Sequence, residues 1–512
     1  MKFSTRLLLL LPVSVLAQQQ QTAAAGLQER ETDIQAALSR HNVTWSANTI
    51  LSYPGSDEFY NSTERWSIAY EPTYFGAISP ATEQDVAQAV KIAVQNNITF
   101  LATGGRHGRT TTLRELQQGL AIDLSQLKSF YANMEDSTVT LGGAALIGEF
   151  QDQMYAAGLM LPGGSCACPG YNGVGLGGGI GRYMGMFGMV SDRLVSANVV
   201  TATGDLVTAS ATENPDLFWA LRGAGANFGV VTSATYKAEK MSDHDDGNVL
   251  TVDLYFEANS TAAYYAYLAK VGPTLPANVA GVHITLWNDT IGRAQVLVNW
   301  VWFGPEQEGR EFLAQFIRFT PHPVQNYVYI PWNQVLSTSL AGFGDTSVCI
   351  DGTYQFGYAA NMKEWTTMGA SMQDTFEKLA EWLLENPAAR TSNTNFEIFS
   401  NDAVAAVPDE ATAYSWRDAK AYFVINMVVD DPSDQNLVDA ADAFALGLHS
   451  NWNETGGYAE EGGAVYLNYA AGIESLEARY GATKLPKLAR LKQKWDPDNI
   501  FAFSNGIPTS YP

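Results

Sequence analysis

The sequence predicts an α+β chain of two domains, and three observations predict it. Its 512 residues exceed what one hydrophobic core commonly covers. Up to about residue 240, short apolar strands run into glycine-rich loops and alternate with helical stretches. From about 245 the period changes to two: "NVLTVDLYF", "VHITLWN" and "AQVLVNWVWFG" alternate as antiparallel strands do, with helices such as "MQDTFEKLAEWLLEN" between them. Hydrophobic residues at 46% and aromatics at 12% suffice for packed cores and exclude a disordered chain. A formal net charge of −23, without any basic run, argues against nucleic acid and anionic membranes as partners.

The N-terminus comes first in chain order. "MKFSTRLLLLLPVSVLA" places Lys2 and Arg6 before a short apolar run and a small-residue cut site, so residues 1–17 read as a secretory signal peptide and the protein as extracellular. The run is too short to span a bilayer, and no later stretch is long and apolar enough. Sequons at Asn42, Asn61, Asn97, Asn259, Asn288 and Asn453 fit a glycosylated secreted protein. The three cysteines, Cys166, Cys168 and Cys349, are too few for a disulfide scaffold and odd in number, which leaves one thiol free, intermolecular or chemically occupied. Residues 18–67 read as a polar, partly helical leader.

Residues 68–242 read as one α+β domain. A helix starts at Ser79-Pro80 or at Thr82 with its acidic first turn, shows Ala87, Val90, Ile92, Ala93 and Val94 on one face, and ends at Asn96-Asn97. "ITFLAT" is a buried strand that delivers the chain into "TGGRHG", where one of only six histidines sits beside an arginine in a glycine loop. "GLAIDLSQL" and "STVTLGGAALIGEFQDQMYAAG" repeat strand, turn and helix. A second loop, "GGSCACPGYNGVGLGGGIG", formally satisfies G-x-G-x-x-G at Gly173, Gly175 and Gly178, with Asp192 at the spacing of a ribose-binding acid. The stretch before it is loop chemistry rather than a strand, so a nicotinamide-binding Rossmann unit is rejected. A third loop, "RGAGANFGVVTSATYK", runs into a Val-rich strand. Three glycine loops feeding short strands suggest one extended cofactor with a pyrophosphate and a flat ring, laid against backbone N–H groups. Residues 243–455 form the second domain, and 456–512 a basic-faced helix with a Pro/Asp/Asn stop. His41, His244, His283, His322 and His449 have no metal-like spacing, and no metal site is assigned.

The loops resemble those of flavin-linked oxidases of the vanillyl-alcohol-oxidase fold, in the berberine-bridge-enzyme-like branch. The resemblance covers nearly the whole mature chain and implies a PCMH-type FAD-binding domain with a substrate domain of antiparallel sheet backed by helices. In that family a histidine after a glycine run is bonded to the 8α-methyl of FAD. "TGGRH" matches at His107, with Arg106 where a second glycine usually stands, and implies cofactor contacts at Thr103, Gly104, Gly105, Arg106 and Gly108. A second attachment through cysteine falls on Cys166 when counted back from Gly177-Gly178-Gly179. Cys168-Pro169 and Tyr171-Asn172 depart from the family pattern. With Cys166 on the flavin, Cys168 and Cys349 remain as a pair; the alternative is a disulfide from Cys166 or Cys168 to Cys349 and a single flavin bond. Gly173, Gly177, Gly178, Gly179, Gly229 and Val230 in the second and third loops, with Asn468 and Asn505 near the chain end, complete the cofactor-facing set the resemblance implies.

"YLNYAAG" resembles the family's Y-x-N-Y signature at Tyr466, Asn468 and Tyr469, and "FSNGI" with Asn505 resembles the element that closes on the FAD domain. The resemblance implies Tyr469 as base on a substrate hydroxyl, with Tyr466, a lysine or an arginine lowering its pKa from about 10. "KAYFVINMVVD" offers Ile425 and Asn426 where other relatives hold an acid, and no carboxylate. The implied activity is oxidation, or oxidative cyclisation, of a small secondary metabolite by hydride transfer to covalently bound flavin, with O2 as acceptor. A carbohydrate oxidase, for which "LVNWVWFG" offers stacking indoles, and a catalytically silent secreted glycoprotein are the alternatives.

Overall fold

A computed structural model describes residues 33–40, 42–346 and 348–512; the signal peptide of residues 1–17 and His41 lie outside the described residues. Two larger sheets build the region up to residue 240, beside a two-stranded pairing of Leu159–Met160 with Glu239–Lys240. In the first, Ile50–Ser52, Tyr74–Ser79, Gly119–Asp123 and Phe100–Thr103 lie in that order, the last three mutually parallel. The second is antiparallel, in the order Phe130–Asn133, Thr138–Gly142, Val230–Lys237, Leu194–Val200 and Leu206–Ser210.

Helix Glu83–Gln95 begins at Thr82, whose side chain accepts the N–H of Asp85, rather than at Ser79-Pro80. Its Val86, Ala89, Val90 and Ala93 are fully buried against Ile78, Leu120 and Ile122 of the parallel strands. Each such valine or isoleucine contributes about 1.5–3 kcal/mol relative to an exposed one. Ala87 and Val94, expected on that face, are only partly buried. Glu83 ties the two sheets together, accepting from Thr232 Oγ1 and Ser233 Oγ at 2.8 Å and from Asn198 Nδ2 at 3.2 Å. The segment expected as a leader packs into this layer too. Ile34, Ala37 and Leu38 are buried in its core, and Ile50–Ser52 pairs with Tyr74–Ser79.

The later region holds a seven-stranded antiparallel sheet, in the order Gln325–Pro331, Asn248–Phe256, Arg293–Phe303, Val279–Asn288, Asn393–Phe399, Ala421–Val428 and Gln355–Met362. Alternation gives it two chemically different faces. Phe396, Ile398, Phe423, Ile425 and Met427 bury into a core shared with helices Ala258–Val271, Trp365–Glu385 and Gln435–Thr455. Asn395, Glu397, Val424 and Asn426 have the opposite parity and look toward the first region. Trp300 and Trp302 belong to the helix-side core, Trp300 stacked on Phe316 at 4.5 Å, so these indoles do not form the substrate platform that "LVNWVWFG" suggests. Ile425 is likewise a core residue.

The C-terminal helix Leu485–Trp495 is not simply basic-faced. Lys492 is fully buried, donating to Asp496 Oδ2 at 2.6 Å and to the carbonyls of Asn227 and Phe501, which clamps the chain end to the first region. Asn42, Asn61, Asn97 and Asn259 are exposed. At Asn288 and Asn453 the side-chain nitrogen that would carry a glycan is engaged, with Gln295 Oε1 at 2.7 Å and His449 Nε2 at 3.0 Å.

Candidate active site

The glycine loops, the polar face of the seven-stranded sheet and the C-terminal segment enclose a cavity of about 420 Å³. That size falls within the usual range for a cofactor or ligand site, about 300–1,000 Å³. Thr103, Gly104, Gly105, Arg106, His107 and Gly108 line it as strand Phe100–Thr103 runs out. Arg106, at φ 50°, holds the left-handed conformation a glycine would favour. Its guanidinium is held by the Asn61 carbonyl at 2.5 Å and by Asp123 at 3.5 Å, both of which fix the turn. The loops touch backbone to backbone: a Cβ on Gly105 would fall 2.3 Å from the Gly170 nitrogen.

His107 stacks on Trp66, ring centroids 3.9 Å apart, and lies 3.6 Å from Cys168 Sγ through Nε2. Burial first, and then the Arg109 charge, push its pKa down to about 3, so the imidazole is neutral with a free nitrogen lone pair. Cys168 and Cys349 form a disulfide, and Cys166 is the free thiol, its pKa pushed up to about 11 by burial. Between the pairings the cysteine count left open, the fold thus selects Cys168–Cys349. The nearest reactive atoms of His107, Cys166 and Cys168 lie within 4.8 Å of one another. With Cys168 in a disulfide, only two of the three remain as ligands, short of a metal site. A neutral imidazole and a thiol so close, at the edge of a cavity, suit two attachments along one edge of a flat ring.

In the second loop, Gly173 and Gly177 line the cavity; a Cβ on Gly173 would meet no protein atom within 4 Å, which leaves that backbone open to a ligand. At Gly177 a Cβ would strike Asn468 Oδ1 at 2.2 Å. Gly178 and Gly179, expected at the cofactor, instead lie behind the wall: both have positive φ and pack on Tyr414 and Val190 respectively. Asp192 ion-pairs with Arg417 at 2.8 Å and accepts the Met189 N–H, which confirms that it is not a ribose acid. Tyr171 and Asn172 anchor the loop to the sheet beneath, Tyr171 Oη donating to the Pro162 carbonyl and Asn172 Oδ1 accepting from Tyr236. Gly229 and Val230 line the cavity from the third loop.

The C-terminal motif lines the cavity through Tyr466, Leu467, Asn468 and Tyr469. Tyr466 Oη accepts N–H groups of Gly179 at 3.1 Å and Ile180 at 3.4 Å, and Asn468 Nδ2 donates to it at 2.6 Å. Tyr466 thus holds the glycine loop, and its pair with Tyr469 is edge-to-face at 4.9 Å. Asn468 also donates to the Val174 carbonyl. Asn505 Oδ1 accepts from Thr110 Oγ1 and Arg479, stapling the chain end to the His107 loop.

Tyr469 Oη donates to Glu397 Oε2 at 2.9 Å. Glu397 is the residue that sequence reasoning missed. The acid is not on the strand of Ile425 and Asn426 but on its neighbour, where Glu397 pairs with Tyr422. Polar residues at 393, 395 and 397 opposite apolar 396 and 398 were the available signal. Glu397 sits behind Tyr469, and burial raises its pKa, against hydrogen bonds from Tyr469 and Ser165 and the charge of Arg182. The expected lowering of Tyr469 by a positive charge is overturned. Burial and then the Glu397 charge push it well up, and Arg109 offsets only part.

A model of the FAD binding domain matches residues 76–210, and one described as berberine and berberine-like matches residues 465–508. FAD-linked oxidoreductase fogF of Aspergillus ruber is 43% identical over 480 residues, covering 94% of this chain and 95% of the relative. The chain belongs to the FAD-linked oxidoreductase family. FAD-linked oxidoreductase OXR1 of Pyricularia oryzae is 40% identical over 469 residues, covering 91% of this chain and 90% of that one. Among solved structures, the glucooligosaccharide oxidase of Acremonium strictum is 20% identical, covers 94% of this chain and 99% of its own, and superposes with TM-score 0.78. A further structure of that oxidase describes a 6-S-cysteinyl, 8α-N1-histidyl FAD. The BBE-like 1 protein of Physcomitrella patens superposes with the same TM-score of 0.78 at 20% identity, covering 94% of this chain and 100% of its own. As an FAD-linked oxidoreductase, this chain has an α+β, PCMH-type fold and binds FAD. No helix among the described residues is long and apolar enough to cross a membrane.

Proposed function

We propose that this chain is a secreted oxidase that takes two electrons from a small secondary-metabolite alcohol, with FAD held covalently through His107 and Cys166 and O2 as acceptor. The observation that carries the reading is a pair at the cavity wall: Tyr469 lines it, and its hydroxyl donates at 2.9 Å to buried Glu397. FAD held by His107 and Cys166 would supply the hydride acceptor for the carbinol carbon, and O2 would carry the two electrons away as hydrogen peroxide. The protein's share is the proton. Tyr469 Oη takes the substrate hydroxyl proton while handing its own to Glu397, so a tyrosinate never needs to persist. Glu397 remains shielded from solvent, and Tyr466 and Asn468 hold the glycine loop that fixes Tyr469 in place.

Among the described residues lining the cavity the only indole is Trp66, and it is stacked on His107. Val174, Ile180, Val348 and Val424 supply apolar wall instead. That lining favours a small apolar-bodied metabolite over a sugar chain. The neutral His107 and the free Cys166 thiol support two flavin bonds. The test is flavin fluorescence on a denaturing gel. His107→Ala and Cys166→Ala should each retain it and the double variant should lose it, while wild-type protein without fluorescence refutes the covalent reading. Peroxide release on alcohol turnover tests the acceptor.

A further inference from the structure

Arg109 is the unexplained charge in this cavity. It lines the wall two residues beyond His107, yet it is only 8% exposed. Among the described residues its guanidinium makes one hydrogen bond, from Nη1 to Asn426 Oδ1, and no carboxylate lies within ion-pair distance of it. Glu474, the acid that acts on it, has each oxygen accepting a backbone N–H, from Ala471 and Gly472. Asn426, in turn, donates to Asn393, so it offers one oxygen and nothing more. A guanidinium carries five N–H donors in a planar fork. Burying one with a single neutral partner is unfavourable, and the imbalance is removed when an anion docks on the remaining donors. Arg109 acts electrostatically on both His107 and Tyr469 and hydrogen-bonds Asn426 on the polar face of the seven-stranded sheet, which places it where the His107 loop meets that sheet.

We propose that Arg109 is the anion-recognition residue of the substrate pocket, its free donors taking an oxyanion of the substrate, a carboxylate or an ionised phenol, and so turning the oxidisable hydroxyl toward Tyr469. This rests on the oxidase reading above and narrows its substrate class to alcohols that also carry an acidic group. The docking step is pure association: no bond forms or breaks, and the charge of Arg109 is unchanged throughout.

The test is calorimetric titration of the purified flavoprotein with benzoate, pentafluorophenolate and the neutral isostere benzamide. Benzoate or pentafluorophenolate should bind about 10- to 100-fold more tightly than benzamide, the range set by one charged hydrogen-bonded contact. Whichever anion binds better identifies the oxyanion type. Arg109→Met should erase that preference, bringing benzoate and pentafluorophenolate down to the affinity of benzamide. Arg109→Lys, which keeps the charge and loses the fork, should restore part of it and covers the case in which the methionine variant fails to fold. Equal binding of benzoate, pentafluorophenolate and benzamide to wild-type protein overturns the proposal, as does unchanged anion binding in either variant. A role confined to tuning Tyr469 also overturns it, and shows as a fall in kcat for every alcohol with KM and anion binding untouched. Flavin attachment is read separately on the denaturing gel. Flavin-bearing enzyme that turns over neutral alcohols without anion preference refutes this inference alone, whereas flavin-bearing enzyme that oxidises no alcohol strikes the oxidase reading.

Discussion

Replacing Glu397 by glutamine removes one proton acceptor and almost nothing else. The amide matches the carboxylate in shape, and its oxygen still accepts the 2.9 Å hydrogen bond from Tyr469. It cannot take the proton, so Tyr469 has nowhere to discharge the one it receives. General-base contributions are worth roughly 10²–10⁴ in rate, or about 2.7–5.4 kcal/mol at about 1.36 kcal/mol per decade. kcat should fall by that factor for any alcohol the wild type oxidises, with flavin fluorescence on the gel unchanged. Burial raises the Glu397 pKa above its ordinary 4.5, so wild-type kcat/KM should climb with pH through that raised value, and the climb should vanish in the variant. Stability runs the other way. A carboxyl with a raised folded pKa contributes most below the unfolded value and loses that contribution as pH rises through the folded one. The variant should therefore gain Tm relative to wild type as pH increases across this window. Peroxide release measured from pH 4 to 9, beside thermal melts in the same buffers, reads both effects. A Glu397→Gln enzyme within about threefold of wild type and with the same pH limb would remove Glu397 from the reaction.

Gly105→Ala places a Cβ 2.3 Å from the Gly170 nitrogen, so it should destabilise by about 1–3 kcal/mol and reduce flavin content, read by melts and the ratio of flavin to protein absorbance. Gly173→Ala meets no protein atom, so its Tm without flavin should stay at wild type while flavin content falls. Cys349→Ser opens a link between residues 181 apart and should cost about 3–5 kcal/mol, with His107-linked fluorescence kept; a melt matching that of oxidised wild type would mean the disulfide does not hold. Asp496→Asn leaves Lys492 charged and buried and should cost about 3–5 kcal/mol in chemical denaturation, loosening the chain end first.

Much of the architecture is legible along the chain because it is written at short range. The change from strand–glycine-loop units to alternating strands follows from local periodicity, and strand Asn248–Phe256 coincides with the run "NVLTVDLYF". His107 stands out because a histidine in a glycine loop has no packing role to explain it, and Tyr466, Asn468 and Tyr469 stand out as a compact motif. What lies across the fold was hidden. Cys168 and Cys349 are 181 residues apart, and three sulfurs allow three pairings that spacing cannot rank. Glu397 meets Tyr469 from 72 residues away, through sheet parity that only the neighbouring strands define. Gly178 and Gly179 fall behind the wall because positive φ turns the loop away there, and Trp300 and Trp302 face helices because the sheet offers its other side to the cavity. Local pattern determines which elements form and which residues are chemically unusual; which of those residues share a cavity depends on long-range packing, and that the tertiary structure alone decides.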